Sequence, residues 1–226
     1  MPLLMALPSF SAEMMEARRA PKDAHNEAGL SADPSSAFWK DTPAVKATKS
    51  NLGTEVPGTQ TEVRVRWTAG NLYVLFSCPY DELYLFPNPK TKTETNKLWE
   101  RDVAEIFVGA DFEKIHHYKE YQLSPQGEWV DLDIDNKQPL PEGGWLWNSG
   151  MRTKARIDTK AKVWYGEFQI PMKNFLNKAA ETGTMLRANF YRFQSALPNR
   201  RMVAWSPTGR INNHTPAAFG QIKLVD

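Results

Sequence analysis

Hydrophobic positions along this chain recur with period two in a series of short segments, and sustained helical periodicity is nearly absent. In "EVRVRW", Val63, Val65 and Trp67 alternate with Glu62, Arg64 and Arg66, the pattern of a strand with one wet face. The turn signal "AGN" (69–71) follows, and then "LYVLFSC", with Leu72, Val74 and Phe76 on one face; together they predict a hairpin. "EWVDLDID" sets Val130, Leu132 and Ile134 against Trp129, Asp131 and Asp133 after the turn "SPQG", predicting a second hairpin over 117–134. "KVWYGEFQIP" places Trp164, Phe168 and Ile170 on one side and stops at Pro171, "MKNFLNKAA" predicts one short helix, and "LRANFYRFQ" and "FGQIKLV" predict the last strands. Short strands at this spacing, broken by Gly, Pro and Asn clusters, predict an all-β fold. The expected form is a two-sheet antiparallel β-sandwich, immunoglobulin-like or jelly-roll-like, with one short helix. The polar or Pro/Gly-rich segments 84–98 and 135–150 read as long loops, where function concentrates.

One strand breaks its own pattern. In "LWERDVAEIFVGAD" (98–111), Val103, Glu105 and Phe107 point one way, and Asp102, Ala104, Ile106 and Val108 the other. Both faces are largely apolar, so the strand is interior to a sheet and Glu105 is buried. An unpaired carboxylate there costs several kcal/mol or gives up its charge, by roughly the price of burying an isolated ion. Glu105 therefore needs a partner: a basic side chain from a neighbouring strand, Arg187 or Arg192, or a ligand, or both, with the arginine orienting the carboxylate.

Composition narrows the classes. A chain of 226 residues that is 41% hydrophobic can bury one substantial core, so we expect one main domain over 37–226 behind an N-terminal extension, 1–36. Twenty-eight basic against 26 acidic residues, with no long basic run, give nothing that favours nucleic acid. The single cysteine, Cys78, excludes an internal disulfide framework. No apolar run approaches the roughly 20 residues that span a bilayer as a helix. The opening "MPLLMALPSFSAEMMEARRAP" has an apolar stretch with small residues at Ser9 and Ser11 but no basic n-region. It reads either as the stub of a secretory signal, which would make the protein secreted or periplasmic, or as a loosely docked leader.

The segments "GNLYVLFSC", "LWERDVAEIFVGAD", "VWYGEFQIP" and "AWSPTGRINNHTPAAFGQIKLV", in that order and at suitable separations, resemble carbohydrate-binding module family 9 and its relatives in the DOMON-like superfamily. The resemblance begins at "FWKDTPAV" and runs to the C-terminus. It implies a non-catalytic β-sandwich that grips a plant-polysaccharide-type saccharide and is associated with glycoside hydrolases. By the same resemblance Trp99 falls at the sugar-stacking tryptophan and Glu105 at the sugar-binding glutamate, while Gln122 and Ser124 fall at further polar contacts, with changed residue types. Physically, an indole face offers rigid apolar area to the C–H face of a pyranose, and hydroxyl donors bond well to a carboxylate. The family's second clamping tryptophan has no counterpart: if the proline aligns, its position is Asn213, beside His214, and Trp145 or Trp147 of "GGWLWNSG" is the candidate replacement wall. Arg192 is expected to support the site from behind.

Other chemistries compete. A glycoside hydrolase would need two carboxylates about 5–10 Å apart, and Asp131 and Asp133 share a strand face. His214 with Met202 or Met151 would suit a haem site of the DOMON-like kind, and a scaffold binding another protein is a third class. Asp131, Asp133, Asp135 and Glu142 match positions one, three, five and twelve of a calcium loop, but Asn136 replaces its glycine and the segment reads as a strand. No cofactor is required by the binding reading; calcium, structural in family relatives, is the candidate ion. His116 and His117 are adjacent and are expected to point to opposite faces, which leaves no zinc site.

Overall fold

The computed structural model describes residues 12–21 and 29–226, so Ser9, Ser11 and His25 lie outside the described residues. Twelve strands form: β1 (Met14–Arg19), β2 (Ala44–Ala47), β3 (Thr61–Trp67), β4 (Asn71–Pro79), β5 (Val103–Gly109), β6 (His117–Leu123), β7 (Trp129–Asp135), β8 (Arg152–Asp158), β9 (Val163–Pro171), β10 (Met185–Gln194), β11 (Arg201–Ala204) and β12 (Gly220–Val225). The fold is all-β, and both expected hairpins, β3–β4 and β6–β7, are present in register.

The alternation explains the strands that the sequence announces. In β3, Val63, Val65 and Trp67 are buried, and in β5 all seven residues are, because β10 and β6 pair on either side of it. The elements that the sequence hides are those with little apolar signal. β8 reads "RTKARID", a half-exposed edge strand whose Arg and Lys side chains discourage pairing with another chain. β1, inside the segment expected as an extension, buries only Met15 and Ala17.

The hydrogen-bonded ladder is continuous where two sheets were expected. Its order is β7-β6-β5-β10-β12-β1-β3-β4-β9-β8, with β11 added at β10 and β2 at β3. The link is β1, which runs parallel to β12 on one side and to β3 on the other. The sheet folds back on itself, so that Phe76 of β4 meets Phe190 of β10 edge-on at 5.9 Å. Gly166 of β9 lies close against Leu123 of β6: a Cβ there would come within 3.2 Å of the leucine.

The short helix expected at 172–180 is a single 3-10 turn, Met172–Asn174. Starting a helix is unfavourable, and here the residues are held by tertiary contacts. Met172 is buried, and the Asn174 amide donates to the Tyr121 hydroxyl and to the Ser149 carbonyl.

A second core covers the outer face of β5, β6, β7 and β10: Val103, Phe107, Tyr118, Val130, Ile134 and Tyr191, capped by Phe219. A third cluster packs Phe38 and Trp39 on Tyr73 and Leu75. It is tied down by Glu167, whose carboxylate accepts from the Ser31 and Ala32 amides at 2.8 and 2.6 Å and from the Trp39 indole at 2.9 Å.

The junction that makes the sheet continuous is tight. A Cβ on Gly220, at the start of β12, would lie 2.6 Å from the Trp205 ring and 2.8 Å from the Glu13 carbonyl. Gly220→Ala is therefore expected to destabilise the protein by about 1–3 kcal/mol, the usual cost of overpacking. Urea unfolding followed by tryptophan fluorescence measures it, and an unchanged midpoint would contradict this packing.

Candidate binding site

Glu105 stands on the outer face of β5, the face of the second core, and is 1% exposed. Neither of its carboxylate oxygens has a hydrogen-bond partner among the described residues. Register places Tyr191 of β10 opposite it on one side and Gln122 of β6 on the other. Two residues from Gln122 on the same face is Glu120, also buried, which accepts a short hydrogen bond from the Gln122 amide. These two carboxylates form the floor of a groove of about 760 Å³.

The groove's walls come from loops that are distant in sequence. Trp99 sits on a 3-10 turn, Leu98–Glu100, whose preceding residue, Lys97, is left-handed with φ 62°. Trp145 stands across from the strand floor of Leu132 and Ile134, and its carbonyl accepts from the Asp133 amide at 2.9 Å. Asn213 and His214 close a further side, with Phe193 and Arg200 completing the lining. The 206–214 loop is anchored from below: the Tyr191 hydroxyl donates to the Asn213 carbonyl at 3.0 Å, and the Asn136 amide donates to the His214 carbonyl at 3.3 Å.

Burial sets the electrostatics. It pushes the Glu105 carboxyl well above the usual carboxylate range, with Glu120 adding to the rise and Arg200 opposing it. Burial raises Glu120 to about 8, against the lowering effect of Gln122. His214 is held down to about 4, also by burial, and is a neutral ring at neutral pH. Its Nδ1 lies 2.6 Å from the Tyr118 hydroxyl, and it packs on Phe107 at 5.0 Å. The site thus offers an aromatic wall, a neutral imidazole edge and two buried carboxyl groups whose pKa values are both pushed upward.

The structure brings together five of the residues expected from sequence, Trp99, Glu105, Trp145, Asn213 and His214. It separates the others. Gln122 stands on the same face beside Glu105, fully buried and outside the groove's lining, and donates to Glu120, and Ser124 bonds the Glu128 carboxylate within its own turn. Trp147 packs on the inner core with the Lys119 ammonium 4.7 Å above its ring, so that Trp145 is the tryptophan that reaches the groove. Arg192 pairs with Ala104, one residue out of phase with Glu105, and faces inward toward Thr61, Cys78 and Asp102. Arg187 bonds the carbonyls of Asp111 and Ile115. The arginine at the groove is Arg200.

The three aspartates of β7 meet different partners, while Asp131 keeps one buried oxygen without a partner among the described residues. Asp131 is buried and accepts from the Ser149 hydroxyl at 2.5 Å, Asp133 pairs with Lys119, and Asp135 lies against two histidines. Those histidines correct the expectation of opposite faces. His116 precedes the strand, so alternation does not govern it, and both Nε2 atoms approach Asp135, at 3.8 and 3.3 Å. Met151 packs with the inner core and Met202 with the outer one, so only Met202 shares His214's side of the sheet.

Sequence reasoning missed Glu120, Arg200 and Phe193. Glu120 was within reach, because Tyr118, Glu120 and Gln122 alternate in "YKEYQL" as Val103, Glu105 and Phe107 do. Phe193 lies on β10, two residues from Tyr191 on the same face, whereas Arg200 reaches the groove from the β10–β11 connection, where nothing local marks it.

The raised carboxyl groups carry a prediction about stability. A carboxylic acid whose folded pKa is raised keeps its proton where the unfolded chain has lost it, so its contribution is full below the ordinary value of 4.5 and is lost as pH rises through about 8. The urea midpoint is expected to fall across that window, with a shallower fall in Glu120→Gln. Parallel pH curves for the two proteins would show that Glu120 is not the titrating group.

Comparison with known proteins follows this geometry. The family model for carbohydrate family 9 binding domain-like proteins matches residues 34–226. Among solved structures, a carbohydrate binding module family 9 from Caldicellulosiruptor kristjanssonii in complex with cellotriose is 16% identical, with a TM-score of 0.65 and 94% of each chain covered. The glucose complex of a family 9 module from the same organism is 15% identical, with a TM-score of 0.64, covering 94% of this chain and 95% of that one. A protein from Bacteroides uniformis ATCC 8492 is 14% identical, with a TM-score of 0.71, covering 95% of this chain and all of that one. No curated protein matches the chain.

Proposed function

Because the chain belongs to the carbohydrate family 9 binding domain-like family, we propose that the groove of Trp99 and Glu105 binds a saccharide without transforming it. The observation that carries this reading is Glu105, a carboxyl group 1% exposed that lines the groove, with neither oxygen bonded by any described residue. Sugar hydroxyls both donate and accept, so they can bond the Glu105 carboxyl whether or not it holds its proton. Trp99 supplies the stacking face, Trp145 the opposing apolar surface, and Asn213 and His214 further polar contacts. The groove's volume lies within the range that encloses small ligands, sufficient for one or two sugar units. Glucose, held by one of the family 9 structures, is a ligand of that size and chemistry, and cellotriose, held by the other, is a longer one of the same chemistry.

Hydrolysis fits the geometry less well. Glycosidases flank the scissile bond with two carboxyl groups, one on either side. Here Glu105 and Glu120 rise from adjacent strands on one sheet face, so both approach a ligand from below. A glycoside hydrolase is the kind of enzyme such a module would serve, in an extracytoplasmic compartment.

Calorimetric titration with glucose, cellobiose, xylose and xylo-oligosaccharides tests the reading. Saturable binding is expected, weakened about tenfold or more by Trp99→Ala, which corresponds to about 1.4 kcal/mol or more of lost stacking. Trp147→Ala, remote from the groove, is expected to bind as the parent does. Absence of heat from every saccharide with the folded protein would overturn the proposal, as would a Trp99→Ala variant that binds unchanged.

A further inference from the structure

The groove's floor is short of positive charge. Glu105 and Glu120 are 1% and 3% exposed and lie diagonally across the β5–β6 ladder, where Glu105 pairs with Gln122 and Phe107 with Glu120. Neither forms an ion pair within 4 Å with any described residue, and Glu120 accepts only from the Gln122 amide. The charged and titratable groups around them are few. Lys97 is on the exposed rim, His214 is neutral, and the hydroxyls of Tyr118 and Tyr191 are committed to His214 and to the Asn213 carbonyl. Arg200 lines the groove and attracts Glu105, but its guanidinium lies over the Phe193 ring at 4.6 Å. One cation near two buried carboxylates leaves one negative charge without an opposite.

We infer that the ligand the groove prefers is a saccharide with a free amine, a hexosamine unit whose ammonium group sits between Glu105 and Glu120. This rests on the sugar-binding reading and narrows it. Burial favours the protonated form of both carboxyl groups, and an ammonium ion would displace a proton from the pair to solvent, leaving two carboxylates bonded to one cation. A metal ion is a poorer occupant, because the floor offers two carboxylates among Leu132, Ile134, Phe193 and Trp145, far from the oxygen-rich shell of a hard cation. The aromatic faces of Trp99 and Trp145 favour a cation near them as well as a pyranose on them.

Titration calorimetry of the whole chain with glucosamine and its β-1,4-linked dimer, against glucose, cellobiose and N-acetylglucosamine, tests this. The titrations are run below the amine's pKa, in two buffers of different ionisation enthalpy. The amino sugars are expected to bind about tenfold or more tightly than the neutral ones. Their binding should release a proton, read as a buffer-dependent heat, and Glu120→Gln should level the two affinities. Equal wild-type affinity for glucose and glucosamine, or a preference that survives in Glu120→Gln, would overturn the amine and leave the saccharide reading standing if binding still depends on Trp99. Binding of no sugar of either kind would overturn both. The wild-type preference and the proton release decide the matter even if Glu120→Gln fails to fold.

Discussion

A carboxylate buried without a donor is the costly feature around which the outer face of this protein is arranged. Taking Glu105 out of water costs several kcal/mol if nothing bonds it, or obliges it to hold a proton, as is usual for an isolated buried charge. The fold accepts that cost on a strand that is buried on both sides and cannot move to relieve it. What relieves it must come from outside the strand: Arg200 from a loop, a proton, or a ligand in the groove.

Glu167 shows the alternative outcome in the same molecule. It too is fully buried on a central strand, β9, yet its oxygens accept from two backbone amides and the Trp39 indole. A carboxylate supplied with that many donors is a structural fastener, and it holds the segment before β2 against the sheet. Glu105 has an equivalent position and no such donors. Buried polar groups are nearly always satisfied, so the two glutamates differ in kind: Glu167 ties the fold together, and Glu105 is the one that the proposed saccharide would bond.

The continuous sheet bears on the same point. β1 joins the two halves through parallel pairing, and the close approach of Gly220 to Trp205 locks β12 beside it. β12 in turn flanks β10, whose other edge pairs with β5. The groove floor is therefore held by neighbours on both sides and by the 206–219 segment, which the Asn189 side chain fastens through the backbone of Ser206. The two carboxyl groups cannot drift apart to lower their repulsion.

Alternation of apolar and polar residues is local, and it determined what is local: the β3–β4 and β6–β7 hairpins, the buried β5, the anomaly of Glu105 and, had the same test been applied, Glu120. Resemblance of ordered segments extended this to Trp99, Asn213 and His214, which the structure does gather. Strand parity across the sheet was decided only by tertiary pairing. Tyr191, one residue before the expected Arg192, stands opposite Glu105, and a shift of one residue sends a side chain to the other face. The same holds for Trp145 over Trp147, for Arg200, for the histidine pair at the edge of β6, and for β1. Each owes its position to contacts between segments far apart in the chain, and no short window of sequence contains both sides of such a contact.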